Sequence, residues 1–137
     1  MDRGIGRICC YGACEWNGAL WYMHMEYNGF YSLNMNDGKI RYYGSVPEER
    51  VDQIYLYSSM IAYKGKIVLA PCYANSIAVF DVETKKFMNY PLKEEIIGID
   101  INRLVANKFL GITEYQGKIL LIGGTIPGII CFDINTG

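Results

Sequence analysis

The sequence predicts an all-β fold made of a repeated unit of four antiparallel strands, and three observations carry that prediction. First, an aromatic-polar-glycine tripeptide occurs three times, as Trp16-Asn17-Gly18, Tyr63-Lys64-Gly65 and Tyr115-Gln116-Gly117, with glycines 47 and 52 residues apart. Second, each tripeptide leads into an apolar run: Leu20-Trp21-Tyr22-Met23, Ile67-Val68-Leu69-Ala70 or Ile119-Leu120-Leu121-Ile122. Third, fifteen residues after each glycine stands Leu33, Phe80 or Phe132, closing a second apolar stretch and followed by Asn34, Asp81 or Asp133. Three registers that agree over one unit make an internal repeat.

Within a unit the segments are short, rich in Ile, Val, Tyr and Phe, and bounded by Gly, Asn and Asp, which reads as strands joined by turns. In the second unit the spacing predicts strand A near Tyr57–Tyr63, B at Lys66–Cys72, C at Ser76–Val82 and D at Lys86–Tyr90. Strands A and B join through Lys64-Gly65, where glycine supplies a positive φ without steric cost. Strands C and D join through Asp81-Val82-Glu83-Thr84, whose leading Asp can accept backbone N–H bonds from downstream. A run such as Ile67-Val68-Leu69 is apolar on both faces, so each sheet is expected to lie between neighbouring sheets.

Four antiparallel strands, a period near 50 residues and two buried faces together describe a β-propeller blade. The expected blades span about 11–43, about 57–90 and about 110–137. The third lacks its outer strand, and the chain thus holds an incomplete ring of about two and two-thirds blades. The run Gly117-Lys118-Ile119-Leu120-Leu121-Ile122-Gly123-Gly124, followed by Ile129-Ile130-Cys131-Phe132-Asp133, resembles a kelch repeat with its double glycine closing strand B. At the double-glycine position the second unit has Pro71-Cys72 and the first His24-Met25. The strand D aromatic is Phe87 in the second unit, whereas the first has Ile40. The Asp-x-x-Thr-Gly turn is also similar to repeats of quinoprotein-type propellers. Two longer segments, 44–54 and 91–109, separate the units. In the second, Lys93-Glu94-Glu95-Ile96-Ile97 suits a helical turn, while Ile97, Ile99 and Ile101 suit a strand, and both readings stay open.

Composition narrows the function classes. Thirteen basic against fourteen acidic residues give a net charge of −1, which argues against a nucleic-acid partner or a polybasic membrane surface. No apolar run is long enough to span a bilayer as a helix. The five cysteines, at 9, 10, 14, 72 and 131, have no zinc-knuckle or redox-pair spacing and read as reduced thiols of a cytoplasmic protein. A single histidine, His24, rules out two-histidine metal motifs, and no phosphate-cradling or dinucleotide loop is present. No catalytic residue, metal site or cofactor is therefore assigned.

If strands alternate in direction, the A–B and C–D turns share one face of the ring, and the longer B–C and D–A connections share the other. Function on a rigid scaffold is carried by its more varied loops. The candidate ligand-binding residues are accordingly His24, Glu26, Tyr27, Tyr73, Asn75, Thr125, Arg50 and Arg103. Twelve tyrosines and two tryptophans suit stacking on a sugar ring or anchoring a protein interface. The expectation is a non-enzymatic kelch-like module that binds protein or glycan; a piece of a carbohydrate-active propeller enzyme is the alternative. Uncovered end faces add a further expectation: either the natural protein continues, or copies associate, most simply as a dimer closing a ring.

Overall fold

The computed structural model describes residues 10–98, 100 and 107–135. Over them the chain forms three antiparallel sheets, each a meander in sequence order. The first sheet contains β1 (Cys10–Trp16), β2 (Ala19–His24), β3 (Phe30–Asn34) and β4 (Ile40–Gly44). The second contains β5 (Tyr57–Tyr63), β6 (Lys66–Pro71), β7 (Ser76–Asp81) and β8 (Lys86–Pro91). The third contains β9 (Phe109–Tyr115), β10 (Lys118–Gly123) and β11 (Ile129–Phe132).

The repeat holds at the level of strand pairing. Leu20 pairs with Leu33, Ile67 with Phe80 and Ile119 with Phe132, the same two positions in successive sheets. All three A–B connections are two-residue turns with positive φ at both positions: 56° and 80° at Asn17-Gly18, 50° and 79° at Lys64-Gly65, 49° and 81° at Gln116-Gly117. That is the type I′ geometry whose twist matches the flanking strands. In the C–D turns the Asn34 Oδ1 accepts the N–H of Asn36, and the Asp81 Oδ1 accepts those of Glu83 and Thr84. The Asp133 Oδ1 accepts the N–H of Asn135 in the same way.

The sheets pack face to face. Trp21, Met23 and Phe30 of the first meet Ile67, Leu69 and Phe80 of the second in one core. Val68, Ala70, Ile77 and Val79, from the opposite face of the second sheet, meet Ile119, Leu121 and Phe132 of the third. Both faces of β6 are thus covered, which is why it is apolar throughout rather than alternating. Equivalence of Leu33, Phe80 and Phe132 implies equal burial, and here the structure differs: Phe80 and Phe132 are buried, Leu33 only half-buried. Leu33 points away from the second sheet, towards a face that no described sheet covers.

Among the A strands, β5 lies against both β1 and β9, as strands nearest a central axis must. A Cβ on Gly12 would sit 2.7 Å from the Ser58 carbonyl oxygen, so only glycine allows β1 this close to β5. From Ser58 the hydroxyl donates to the Phe109 carbonyl at 2.5 Å, tying β5 to β9. Each A strand also has a register shift near its start, at Cys10/Ala13, Tyr57/Ser59 and alongside Gly111. The D strands β4 and β8 are mostly exposed. Between the second and third sheets, Glu94–Ile97 forms a single helical turn, α1, stopped by Gly98 at φ 73°. Ile99 and residues 101–106 lie outside the described residues. No helix among the described residues is long and apolar enough to cross a membrane.

Candidate functional site

The B–C and D–A connections are held together by one recurring device. In the second blade the N–H groups of Cys72 and Tyr73 donate to the carbonyls of Leu56 and Tyr55. In the third, Gly124 and Thr125 donate to Lys108 and Asn107. The same left-handed residue precedes both A strands, Tyr55 at φ 51° and Asn107 at φ 55°. The double glycine has a steric cause: a Cβ on Gly123 would lie 1.9 Å from the Ile126 oxygen, and one on Gly124 would lie 2.3 Å from the Asn107 oxygen.

Three local groupings arise on this face. His24, at the end of β2, stacks on Tyr27 with ring centroids 4.2 Å apart, and its Nδ1 accepts the Glu26 N–H. The hydroxyls of Tyr27 and Tyr31 bond each other; burial and this bond raise the Tyr31 pKa. A second grouping runs from the first blade to the second. Tyr11 of β1 meets Tyr55 at 5.2 Å, and Tyr55 meets Tyr73 edge-on at 6.2 Å. Tyr11 and Tyr55 are exposed and Tyr73 half-buried, so the three rings form an arch across two blades.

The third grouping is polar. The Glu49 carboxylate accepts the Asn75 N–H and, at 2.8 Å, the Ser76 hydroxyl. Tyr57 is fully buried nearby, and burial with the Glu49 charge raises its pKa well above the ordinary phenol value. Lys108 is also fully buried, its Nζ donating to the Tyr73 carbonyl at 2.9 Å and towards that of Cys72. Burial lowers the lysine pKa, against the opposing charges of Cys72 and Glu49.

The structure therefore brings His24, Glu26 and Tyr27 together in one cluster, and places Tyr73 in the aromatic grouping with Tyr11 and Tyr55 and Asn75 in the polar one with Glu49. Thr125 is exposed, and its hydroxyl donates to the Asn107 carbonyl. Arg50 is held in an exposed ion pair with Asp52 at 3.2 Å, which lowers the Asp52 pKa. Arg103 lies outside the described residues. Sequence reasoning did not single out Lys108 or Asn28. Lys108 has a readable signal, because the 52-residue offset that matches Gly65 to Gly117 also matches it to buried Leu56. Asn28 has none: it is buried, its Nδ2 donates to the Val46 carbonyl, and its Oδ1 accepts the Val46 N–H, which pins the first D–A connection. Among the described residues no cluster of three or more His, Cys, Asp or Glu is arranged to hold a metal ion.

No family model matches the chain, and no curated protein matches it in sequence. Solved structures do match. A streptogramin B lyase aligns with TM-score 0.63 and 22% identity over 84% of this chain and 34% of its own. The virginiamycin B lyase of Staphylococcus aureus aligns with TM-score 0.62 and 19% identity, over 83% and 34%. The glutaminyl cyclase of Myxococcus xanthus gives 0.52 and 17%, over 89% and 53%. The chain thus spans about a third of the length of either lyase. Identities this low show likeness of fold alone, and what they establish is architecture: the chain is an all-β, incomplete β-propeller of antiparallel blades.

Proposed function

We propose that the chain is a kelch-like propeller module that binds a protein or glycan through its B–C and D–A loop face. The observation that carries this reading is the Tyr11–Tyr55–Tyr73 arch, with rings presented across two blades on a hydrogen-bonded base. Aromatic side chains give large contact area for little conformational entropy, and they suit both sugar faces and protein anchors. Two carboxylates of the first D–A connection support binding over hydrolysis. Glu49 is occupied by Asn75 and Ser76, and Asp52 by Arg50, whereas a glycosidase needs two carboxyls free to face one scissile bond. His24, Glu26 and Tyr27 flank the arch side of the first blade as secondary contacts. The kelch likeness rests on Gly123-Gly124 and its close approach to Ile126 and Asn107. The test is a glycan array with the intact chain and with Tyr55→Ala: specific signals that the variant loses support the reading. An array without signals, together with hydrolysis of any arrayed glycan, favours the enzyme.

We further propose that a second copy of this chain is a partner. The face of the first blade that no described sheet covers carries Leu20 and Leu33, at the positions of Ile67 and Phe80, which the preceding blade covers in the second. The uncovered face of the third carries Leu120, Ile122, Ile129 and Cys131, at the positions by which the second blade covers the third. This match of register supports the other end of a like chain as the mate of each face. Two copies joined at both ends close a six-bladed ring with twofold symmetry.

A further inference from the structure

On the opposite side of the molecule, where the A–B and C–D turns lie, a groove of about 320 Å³ opens between the first and second blades. Trp21, Ser32 and Tyr43 form its inner wall, and Lys39, Arg41, Asp37 and Lys85 stand around its mouth. Among the described residues none of the three cations has an ion-pair partner. The Ser32 and Tyr43 hydroxyls bond each other at 2.8 Å, which uses one of their two protons and leaves the other to donate into the groove.

The internal repeat supplies a control. Trp21, Ser32 and Arg41 correspond by register to Val68, Val79 and Met88, whereas Lys39 and Tyr43 recur as Lys86 and Tyr90, so the same place between the second and third blades lacks the serine hydroxyl and the guanidinium. Blade packing alone thus does not require this polar, cationic character. Lys85 adds an independent sign. It holds φ 60° at the turn position where the first unit has Gly38 at φ 74°, and the third unit has Gly137. A side chain in this region is strained, and such strain gathers at binding sites.

We propose that this groove is a binding site for a small acidic saccharide of the uronic acid kind. Arg41, Lys39 and Lys85 answer its carboxylate, since a guanidinium pairs with a carboxylate through two parallel hydrogen bonds. The Ser32–Tyr43 hydroxyl pair and the Asp37 carboxylate answer its sugar hydroxyls as donor and acceptor. The Asp37 carboxylate selects against inorganic phosphate, whose higher negative charge at neutral pH it repels and which has no ring of hydroxyls to offer. The volume fits one monosaccharide, at the small end of ligand pockets. This site lies on the turn side, so it stands or falls separately from the loop-face reading.

Two-dimensional NMR of the intact chain, titrated with glucuronate, tests it, with glucose and inorganic phosphate as controls. The Trp21 indole N–H is the reporter. Glucuronate should shift Trp21 saturably, while glucose and phosphate leave it unmoved, and Lys85→Gly should weaken binding roughly three- to tenfold. Because glycine relaxes the strained turn, that variant should melt no lower than the parent, which separates lost binding from lost folding. Glucose or phosphate binding as well as glucuronate, no saturable Trp21 shift, or unchanged affinity in Lys85→Gly would each overturn the proposal.

Discussion

Individual side chains in this protein are set mostly by burial. Burial, with the charge of Glu15, pushes the Cys14 thiol up to about 12. Burial also raises Cys72, Tyr22 and Tyr57. An acid with a raised folded pKa keeps its proton in the fold while the unfolded chain releases it. Stability is then full below the unfolded value and is lost as pH rises past it, by at most about 1.4 kcal/mol per pH unit for each group. Lys108 acts in the opposite sense, since its lowered pKa makes stability rise with pH below the ordinary lysine value, but it is one group against five, Tyr31 being raised as well. Denaturant midpoints in reductant should therefore fall as pH is raised from 8 to 10.5, less steeply in Cys14→Val. A midpoint that stays flat across that range would contradict the burial account. Lys108 offers a second check. Lys108→Ala removes a donor from the Tyr73 carbonyl and opens a void, and should cost about 2–4 kcal/mol in equilibrium unfolding; a cost below about 0.5 would mean that the ammonium does not brace the second blade.

Strands and turns were the most legible part of the sequence, for a local reason. A type I′ turn needs positive φ at two adjacent positions, and x-Gly after an aromatic announces it three times. Asn34, Asp81 and Asp133 announce the C–D turns because their side chains cap their own backbones. Residues 91–109 were not legible, since Ile97 fits a helix face and a strand face equally, and only Gly98 at φ 73° decides where the turn stops. The loop-face groupings were legible in part. Tyr73 and Asn75 follow from strand order, but the Glu49 bonds to Asn75 and Ser76 cross from one blade to the next, and no periodicity encodes such a contact. Core positions allow a graded test of the register. Phe80→Ala should cost about 3–5 kcal/mol, Leu33→Ala about 1–2 because part of its surface is already wet, and Lys85→Ala less than about 0.5. Comparable costs at Phe80 and Lys85, measured by denaturant titration, would undo the alignment.

At the scale of the whole molecule, the three sheets form a stack whose inner strands touch and whose rims are polar. Amide exchange should be slower in β6, covered on both faces, than in β8 at the rim; the reverse order would contradict the packing. Light scattering should give about twice the 15.6 kDa chain mass at micromolar concentration, as an interface well above about 1,000 Å² implies. A stable monomer would refute the association proposal. The three A–B turns carry one more implication, for how the chain comes to fold. Each closes a hairpin between strands adjacent in sequence, and such hairpins form on the order of microseconds. Their contacts are short in sequence separation, so little loop entropy is lost before the first pairings form. Folding has three separate places to begin, and none needs the others to be finished. Assembly into a ring is then a later, concentration-dependent event, and diluting the protein should slow that step while leaving hairpin formation untouched.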